Sequence, residues 1–206
     1  MWRMHKCHEA DPVSRPRMER QTASHQNLNR SLPVKLSNTT ILVTGANRGI
    51  GLALVQALLD AGASRIYAAA RHPDQLAKAV AADPARVVPV QLDVTDAASV
   101  DSAARTIGTV DVLINNAGAA YFGNLLDMPM EQVTRDLDVN YLGTRRVVRA
   151  FAPLFQQSRG GAVVNLLSVV SLASAPSLGG YLSSPGCLST RLTNNSGFSL
   201  RHFCSA

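Results

Sequence analysis

Short apolar runs alternate with longer amphipathic segments through the middle of the chain. Five runs are typical of buried strands, being short and rich in β-branched residues or alanine: ILVTG, RIYAAA, RVVPVQLD, VDVLIN and GAVVNLLS. The segments between them have the spacing of helices: GIGLALVQALLDAGA, PDQLAKAVAAD, DAASVDSAARTIG and MEQVTRDLDVNYLGTRRVVRAFAPLFQQ. This alternation predicts βαβ units and a parallel sheet covered on both faces. Because crossovers are right-handed, the pattern favours an α/β, doubly wound, Rossmann-like domain.

Length and charge limit the classes of function. A chain of 206 residues with 46% hydrophobic composition is expected to form one domain with flanking segments. The net charge of +6 lies outside the patterned region, because residues 41–183 contain 11 basic and 11 acidic side chains. A nucleic-acid interface needs an excess of basic residues on a folded face, so we expect no nucleic-acid partner.

The flanking segments indicate the environment of the protein. The three cysteines, Cys7, Cys187 and Cys204, all lie in the flanks and form no disulfide framework, which favours a reducing compartment and a cytoplasmic location. His5, Cys7 and His8 stand in a polar leader, and we expect no metal site there. No apolar run reaches the length of about 18 residues that spans a bilayer, so we expect no membrane association.

Composition divides the chain into three parts. Residues 1–38 form a polar, basic leader without periodicity, which predicts disorder. The leader has no apolar core of a signal peptide, and its acids argue against a transit peptide. Residues 39–183 are expected to form the Rossmann domain that binds NAD(P), and residues 184–206 a divergent, unstructured tail.

The run ILVTGANRGIG is the strongest single motif. It leads from an apolar strand through Gly45, Gly49 and Gly51 into a helix. Glycines at such a turn let the backbone approach a pyrophosphate, while the helix N-terminus offers free N–H groups. The alternative is a glycine-rich turn without a ligand.

The spacing TGxxxGxG resembles that of the short-chain dehydrogenase/reductase family. Further motifs follow in the family's order: Asp93-Val94, the NNAG segment Asn115–Gly118, Asn140, Ser168 and Tyr181. The resemblance covers residues 41–183 and implies an oxidoreductase that exchanges a hydride between a nicotinamide cofactor and a small carbonyl or alcohol substrate. It also implies homo-oligomers.

The resemblance assigns a set of cofactor contacts. Asp93 and Val94 would border the adenine, and the NNAG segment would line the cofactor and brace the sheet. The alternatives are a strand-ending turn residue for Asp93 and a locally satisfied turn for NNAG. The full set comprises Thr44, Gly45, Asn47, Arg48, Gly49, Ile50, Gly51, Arg71, Asp93, Val94, Asn115, Ala117 and Gly118.

Charge at the end of the second strand bears on the choice of cofactor. An NAD site usually has an acid there to bind the ribose 2′-OH, whereas a 2′-phosphate needs a cation. Here that position is Ala70, followed by Arg71, and Arg48 lies inside the glycine turn. Two guanidinium groups favour NADP, or NADPH, over NAD. The alternative is that either arginine is a solvated surface charge.

The resemblance also assigns the reaction centre. Tyr181 would exchange the proton, Ser168, 13 residues earlier, would bind the substrate oxygen, and Asn140 would complete a water relay. Without that spacing, Ser171 and Ser174 would compete with Ser168. A free tyrosine, with a pKa of about 10, is a poor base at neutral pH. The family corrects this with a lysine four residues after the tyrosine.

The family pattern ends at that lysine. Position 185 is proline, which supplies no cation and interrupts a helix. No further strand or helix of the family is recognisable after it, which predicts a domain incomplete at its C-terminal side, with the fifth strand at a sheet edge and an interface helix missing. The alternative function is therefore a catalytically silent fragment that binds NADP but lacks the active-site lysine.

Overall fold

The computed structural model describes residues 36–124, 126–157, 161–168 and 199–205. Its strands are β1 (Thr40–Thr44), β2 (Arg65–Ala70), β3 (Val87–Gln91), β4 (Val112–Asn115), β5 (Ala162–Ser168) and β6 (Ser199–Ser205). Its α-helices are α1 (Gly49–Asp60), α2 (Ala77–Ala82), α3 (Ala97–Ile107), α4 (Met130–Leu137) and α5 (Thr144–Gln157). Across these described ranges, no helix is long and apolar enough to cross a membrane.

All six strands are parallel and form one sheet in the order β3-β2-β1-β4-β5-β6. This order confirms the prediction of a doubly wound, Rossmann-like domain. The chain runs outward from β1 to β2 and β3 on one side, and then crosses back to β4 on the other side of β1. The carboxyl ends of β1 and β4 therefore lie on either side of a crevice. In open α/β sheets, ligands bind in this crevice.

Strand β1 shows how the two faces of the sheet are covered. Its side chains alternate, so Ile41 and Val43 pack with Val55 of α1 on one face. Leu42 packs with Phe151 of α5 on the other. All five side chains are fully buried, and each such burial stabilises the fold by about 1.5–3 kcal/mol. The continuous apolar run of β1 follows from this two-sided burial.

The long helix predicted over residues 130–157 is divided into three parts. Between α4 and α5, residues Asp138–Gly143 form a π-helical turn. The Thr144 hydroxyl donates a 2.9 Å hydrogen bond to the Asn140 carbonyl within this wider turn. Such turns occur frequently at functional sites, and this one contains Asn140.

The C-terminal tail contains a strand where the sequence predicted none. Backbone pairing of β6 with β5 extends from Ala162 opposite Ser199 to Ser168 opposite Ser205. Strand β5 is therefore not the edge of the sheet, and the unstructured tail is a wrong prediction for residues 199–205. The physical reason is that an edge strand offers unpaired N–H and C=O groups to any extended segment. Side-chain periodicity does not report such pairing.

The domain also begins slightly earlier than predicted. Leu36 packs against the core, and the Asn38 N–H donates a 3.0 Å hydrogen bond to the Gly62 carbonyl. Residues 36–38, predicted as the end of the leader, therefore belong to the domain. The rest of the leader, and the segment containing Tyr181 and Pro185, lie outside the described residues.

Candidate nucleotide-binding site

A cleft of about 660 Å³ opens at the carboxyl ends of the central strands. Its volume lies within the range of about 300–1,000 Å³ that is usual for small-molecule sites. The structure brings 11 of the 13 predicted cofactor residues together in its lining: Gly45, Asn47, Arg48, Gly49, Ile50, Gly51, Arg71, Asp93, Val94, Ala117 and Gly118. Residues from three separate βα connections and the end of β4 thus meet in one cleft.

The glycine turn is packed directly against the segment that follows β4. Gly45 has a φ of 67°, a left-handed conformation, and a Cβ there would lie 2.9 Å from the Ala117 Cα. At Gly51, a Cβ would collide with the Gly45 carbonyl oxygen. Helix α1 begins at Gly49 without a side-chain cap or an acid in its first turn. Its N-terminal N–H groups can therefore bind an anion.

Thr44 and Asn116 hold the ends of β1 and β4 together. The Thr44 hydroxyl oxygen accepts hydrogen bonds from the backbone N–H groups of Asn116 and Ala117, both at 3.0 Å. The Asn116 amide donates in return to the Thr44 and Gly45 carbonyls, at 2.9 and 3.1 Å. Thr44 does not line the cleft. Its side chain is buried behind the lining residues and stabilises their backbone through these hydrogen bonds.

The two asparagines of NNAG have different positions. Asn115 is buried, and its amide nitrogen donates a 2.8 Å hydrogen bond to Asn165 on β5, so the structure does not bring Asn115 to the cleft. Asn116 lines the cleft but was missing from the predicted site. The alternation of side chains along β4 indicates that the two asparagines face opposite sides, but not which of them faces the cleft.

Arginines dominate the charge of the cleft lining. Arg48, Arg71 and Arg135 line it, together with a single acid, Asp93. Burial by itself would raise the pKa of Asp93, but hydrogen bonds from the Thr95 hydroxyl and N–H, with the charges of Arg71 and Arg135, lower it overall. The ionised carboxylate is thus retained, and the cleft keeps an excess of two positive charges.

The structure describes two of the three predicted catalytic residues. Both polar atoms of the Asn140 side chain bond to Ala119, accepting from its N–H at 2.9 Å and donating to its carbonyl at 2.8 Å. Ser168 is the last residue of β5, at the carboxyl edge of the sheet. Neither residue lines the cleft, and Tyr181 lies outside the described residues.

Comparison with known proteins agrees with this geometry. A family model described as short chain dehydrogenase matches residues 39–195. The chain belongs to the short-chain dehydrogenase family. A relative in Monascus ruber, the short chain dehydrogenase pigC, is 39% identical over 166 residues, which are 74% of this chain and 55% of pigC. The chain spans about half the length of most of the curated relatives it matches.

Solved structures of short-chain dehydrogenases have the same fold. One from Burkholderia cenocepacia, in complex with NADP, is 32% identical with a TM-score of 0.75, covering 82% of this chain and 73% of its own. Another from Burkholderia phymatum, in complex with NAD, is 27% identical with a TM-score of 0.74, covering 82% and 66%. Similar structures thus hold either cofactor.

One acid near the cleft is fully buried. Burial raises the pKa of Asp136 on α4, although a weak 3.4 Å hydrogen bond from the Tyr121 N–H opposes the shift. Its other carboxyl oxygen has no hydrogen-bond partner among the described residues. Asp136 was not among the predicted site residues, because nothing in a helical segment distinguishes a buried acid from a solvated one.

Proposed function

We propose that the protein is an NADP-dependent oxidoreductase that transfers a hydride between the nicotinamide and a carbonyl or alcohol substrate. One observation carries the choice of NADP: Arg48 and Arg71 line the same cleft, and β2 ends at Ala70 instead of an acid. A guanidinium group pairs well with a dianionic phosphate, whereas the ribose hydroxyl of NAD needs an acceptor.

The described residues fit the parts of this cofactor. The uncapped N-terminus of α1 would bind the pyrophosphate, and Gly45 and Gly51 leave room for its close approach. Arg48 and Arg71 would hold the 2′-phosphate. Asp93 and Val94, after β3, would border the adenine, with Ala117 and Gly118 along the remaining length. When bound, the cofactor supplies or accepts the hydride.

The protein supplies the proton and orients the substrate. Tyr181 would exchange the proton with the substrate oxygen, Ser168 would donate a hydrogen bond to that oxygen, and Asn140 would link the site to water. Asn140 is suited to a fixed position, because both its side-chain polar atoms are bonded to Ala119. The substrate class is a small carbonyl or alcohol compound, and we propose action in the cytoplasm without a nucleic-acid or membrane partner.

A second candidate function follows from Pro185. It stands where the family has the lysine that lowers the pKa of the catalytic tyrosine. A chain without this cation would bind NADP with little turnover, because a tyrosine with a pKa of about 10 is a poor base in oxidation and a weak acid in reduction. The candidate is therefore a silent NADP-binding protein with the same cleft.

Thermal unfolding with NADPH and with NADH tests the cofactor. A ligand at about a hundredfold excess over its Kd stabilises the folded state by about 2.7 kcal/mol. We expect a larger shift with NADPH, and expect Arg71→Gln and Arg48→Gln to abolish the difference. Arg105→Gln, on the last turn of α3 and outside the cleft, is the matched control. Equal shifts with both nucleotides in the unmodified chain would contradict the preference for NADP.

Turnover separates the two candidate functions. NADPH oxidation is followed by absorbance with a panel of aldehydes and ketones, using the chain and its Pro185→Lys variant. Stabilisation by NADPH without oxidation in the unmodified chain favours the silent binder, and oxidation gained in Pro185→Lys would assign the loss of turnover to the missing lysine. Oxidation that is lost in Tyr181→Phe supports the oxidoreductase.

A further inference from the structure

A hydrogen bond joins the two segments that carry the arginines. The Asn47 amide nitrogen donates to the Gln75 amide oxygen at 2.9 Å, although the residues are 28 positions apart. Asn47 precedes Arg48 in the glycine turn, and Gln75 lies four residues after Arg71, in the 3₁₀ turn Pro73–Leu76. Both side chains line the cleft.

The backbone at Gln75 is held firmly, although its side chain is exposed. The next residue, Leu76, is fully buried in the core. The Gln75 N–H itself donates a 3.1 Å hydrogen bond to the His72 carbonyl. An exposed glutamine side chain ordinarily samples several rotamers, so anchoring at both ends gives it a defined position in the cleft.

We propose that Gln75 is a further cofactor-specificity residue, which donates a hydrogen bond to the 2′-phosphate while Asn47 orients its amide. This inference rests on the proposed use of NADP. Asn47 binds the oxygen of the Gln75 amide, which leaves its NH₂ group as a donor, and within the described residues no other group engages that NH₂. A phosphate accepts such bonds through charged oxygens, whereas NADH has only a neutral ribose hydroxyl there.

Asn47 has a second role in this arrangement as a positioning residue. Its bond to Gln75 bridges the glycine turn and the segment after β2, so it fixes the separation of Arg48 and Arg71. Two guanidinium groups repel each other when no phosphate lies between them. A neutral amide pair can hold the two segments together without adding to that repulsion.

The test compares Kd values for NADPH and NADH, measured by fluorescence titration on the full chain. Gln75→Leu removes the donor and the bond to Asn47, and we expect a rise of about tenfold in the Kd for NADPH, the size of one lost hydrogen bond to a charged group. The Kd for NADH should change by less than about twofold, as expected for an exposed position.

Three further variants separate the donor from the bridge. Gln75→Glu keeps the acceptor for Asn47 but replaces the donor with a charge, so its loss of NADPH affinity should exceed that of Gln75→Leu. Asn47→Ala keeps the donor and should give a smaller loss than Gln75→Leu. Asp74→Asn, in the same turn but outside the cleft lining, is the matched control and should leave the NADPH-to-NADH ratio unchanged.

The outcomes distinguish this inference from the proposed function. If the unmodified chain prefers NADPH but Gln75→Leu weakens the binding of both nucleotides equally, or of neither, the role of Gln75 is overturned and the use of NADP stands. If the unmodified chain shows no preference for NADPH, both are overturned. A loss confined to NADPH, with unchanged melting temperature of the nucleotide-free protein, supports the inference.

Discussion

The two walls of the cleft are stabilised in different ways. The glycine wall consists of Thr44–Gly51 and the segment Asn116–Ala117, and neutral hydrogen bonds join its two strands. The helix wall consists of Ala119–Tyr121, α4 and the π-helical turn. It contains Asn140, whose side chain is paired with Ala119, and Asp136, a buried carboxyl with one weak hydrogen bond. The hydrogen bonds of the first wall involve no titratable side chain, whereas the second wall contains a buried carboxyl whose pKa is raised by burial.

The proposed function gives the two walls different tasks. A pyrophosphate is bound by backbone N–H groups, so the glycine wall needs a fixed backbone and little else. The helix wall contains Asn140, one of the predicted catalytic residues, and a buried carboxyl whose pKa is raised. We therefore expect substitutions in the glycine wall to affect stability and nucleotide binding together, and Asp136 to affect stability according to pH.

The largest effect is expected at Gly51. Gly51→Ala places a methyl group against the Gly45 carbonyl oxygen and the Asn116 amide, so the turn must move. We expect a loss of about 3 kcal/mol in the free energy of unfolding, as in other overpacked sites, together with loss of stabilisation by NADPH. Urea denaturation with and without nucleotide measures both.

Gly123→Ala is the matched control for Gly51. Its Cβ would lie 3.4 Å from the flexible end of Met128, which can adjust. We expect a change within about 0.5 kcal/mol. Equal effects of the two substitutions would contradict the close packing of the glycine wall.

A smaller effect is expected at Thr44. Thr44→Val keeps the shape but leaves the N–H groups of Asn116 and Ala117 without their acceptor, which should cost about 2 kcal/mol. Thr44→Ser keeps the hydroxyl and should cost about 1 kcal/mol for the lost methyl group. Chemical denaturation compares the two, and a valine variant as stable as the serine variant would show that the hydroxyl does not brace the wall.

The smallest effect, and the one that separates the walls, is expected at Asp136. Burial raises its folded-state pKa, so the folded protein holds the proton more tightly than the unfolded chain. The resulting stability is full below the unfolded-chain pKa and is lost as the pH rises through the folded-state pKa. Asp136→Asn has no such loss, so its stability relative to that of the unmodified chain should rise between acid and neutral pH.

Urea denaturation of both proteins between pH 4 and about 8 checks this expectation. This pH range spans the usual titration of a buried carboxyl. Parallel stability profiles would contradict the uncompensated burial of Asp136. The Thr44 variants serve as the comparison from the other wall, because their difference should not depend on pH.

Local pattern was sufficient for much of the fold. The strands from β1 to β5 match the predicted runs closely, because residues buried on both faces of a parallel sheet must be apolar. The glycine turn and the NNAG segment were recognisable for a similar reason, since only certain residue types fit their backbones. Charge at fixed positions also indicated Arg48 and Arg71, because a cation after the second strand suits a phosphate and not a hydroxyl.

Other features could not be predicted from local pattern. Strand β6 pairs through backbone groups, which leave no side-chain signature. The π-helical turn at Asn140 depends on how α4 and α5 pack, not on a local motif. Arg135 reaches the cleft only because α4 is placed beside it.

The sequence by itself determined the doubly wound sheet, the position of the glycine turn and the family to which the chain belongs. These depend on periodicity and on residues that a local backbone conformation requires. Only the tertiary structure decided that Asn116 and not Asn115 faces the cleft, that Asp136 is buried, and that Gln75 meets Asn47. These contacts join residues distant in the chain, and their energies depend on burial and geometry that no local window contains.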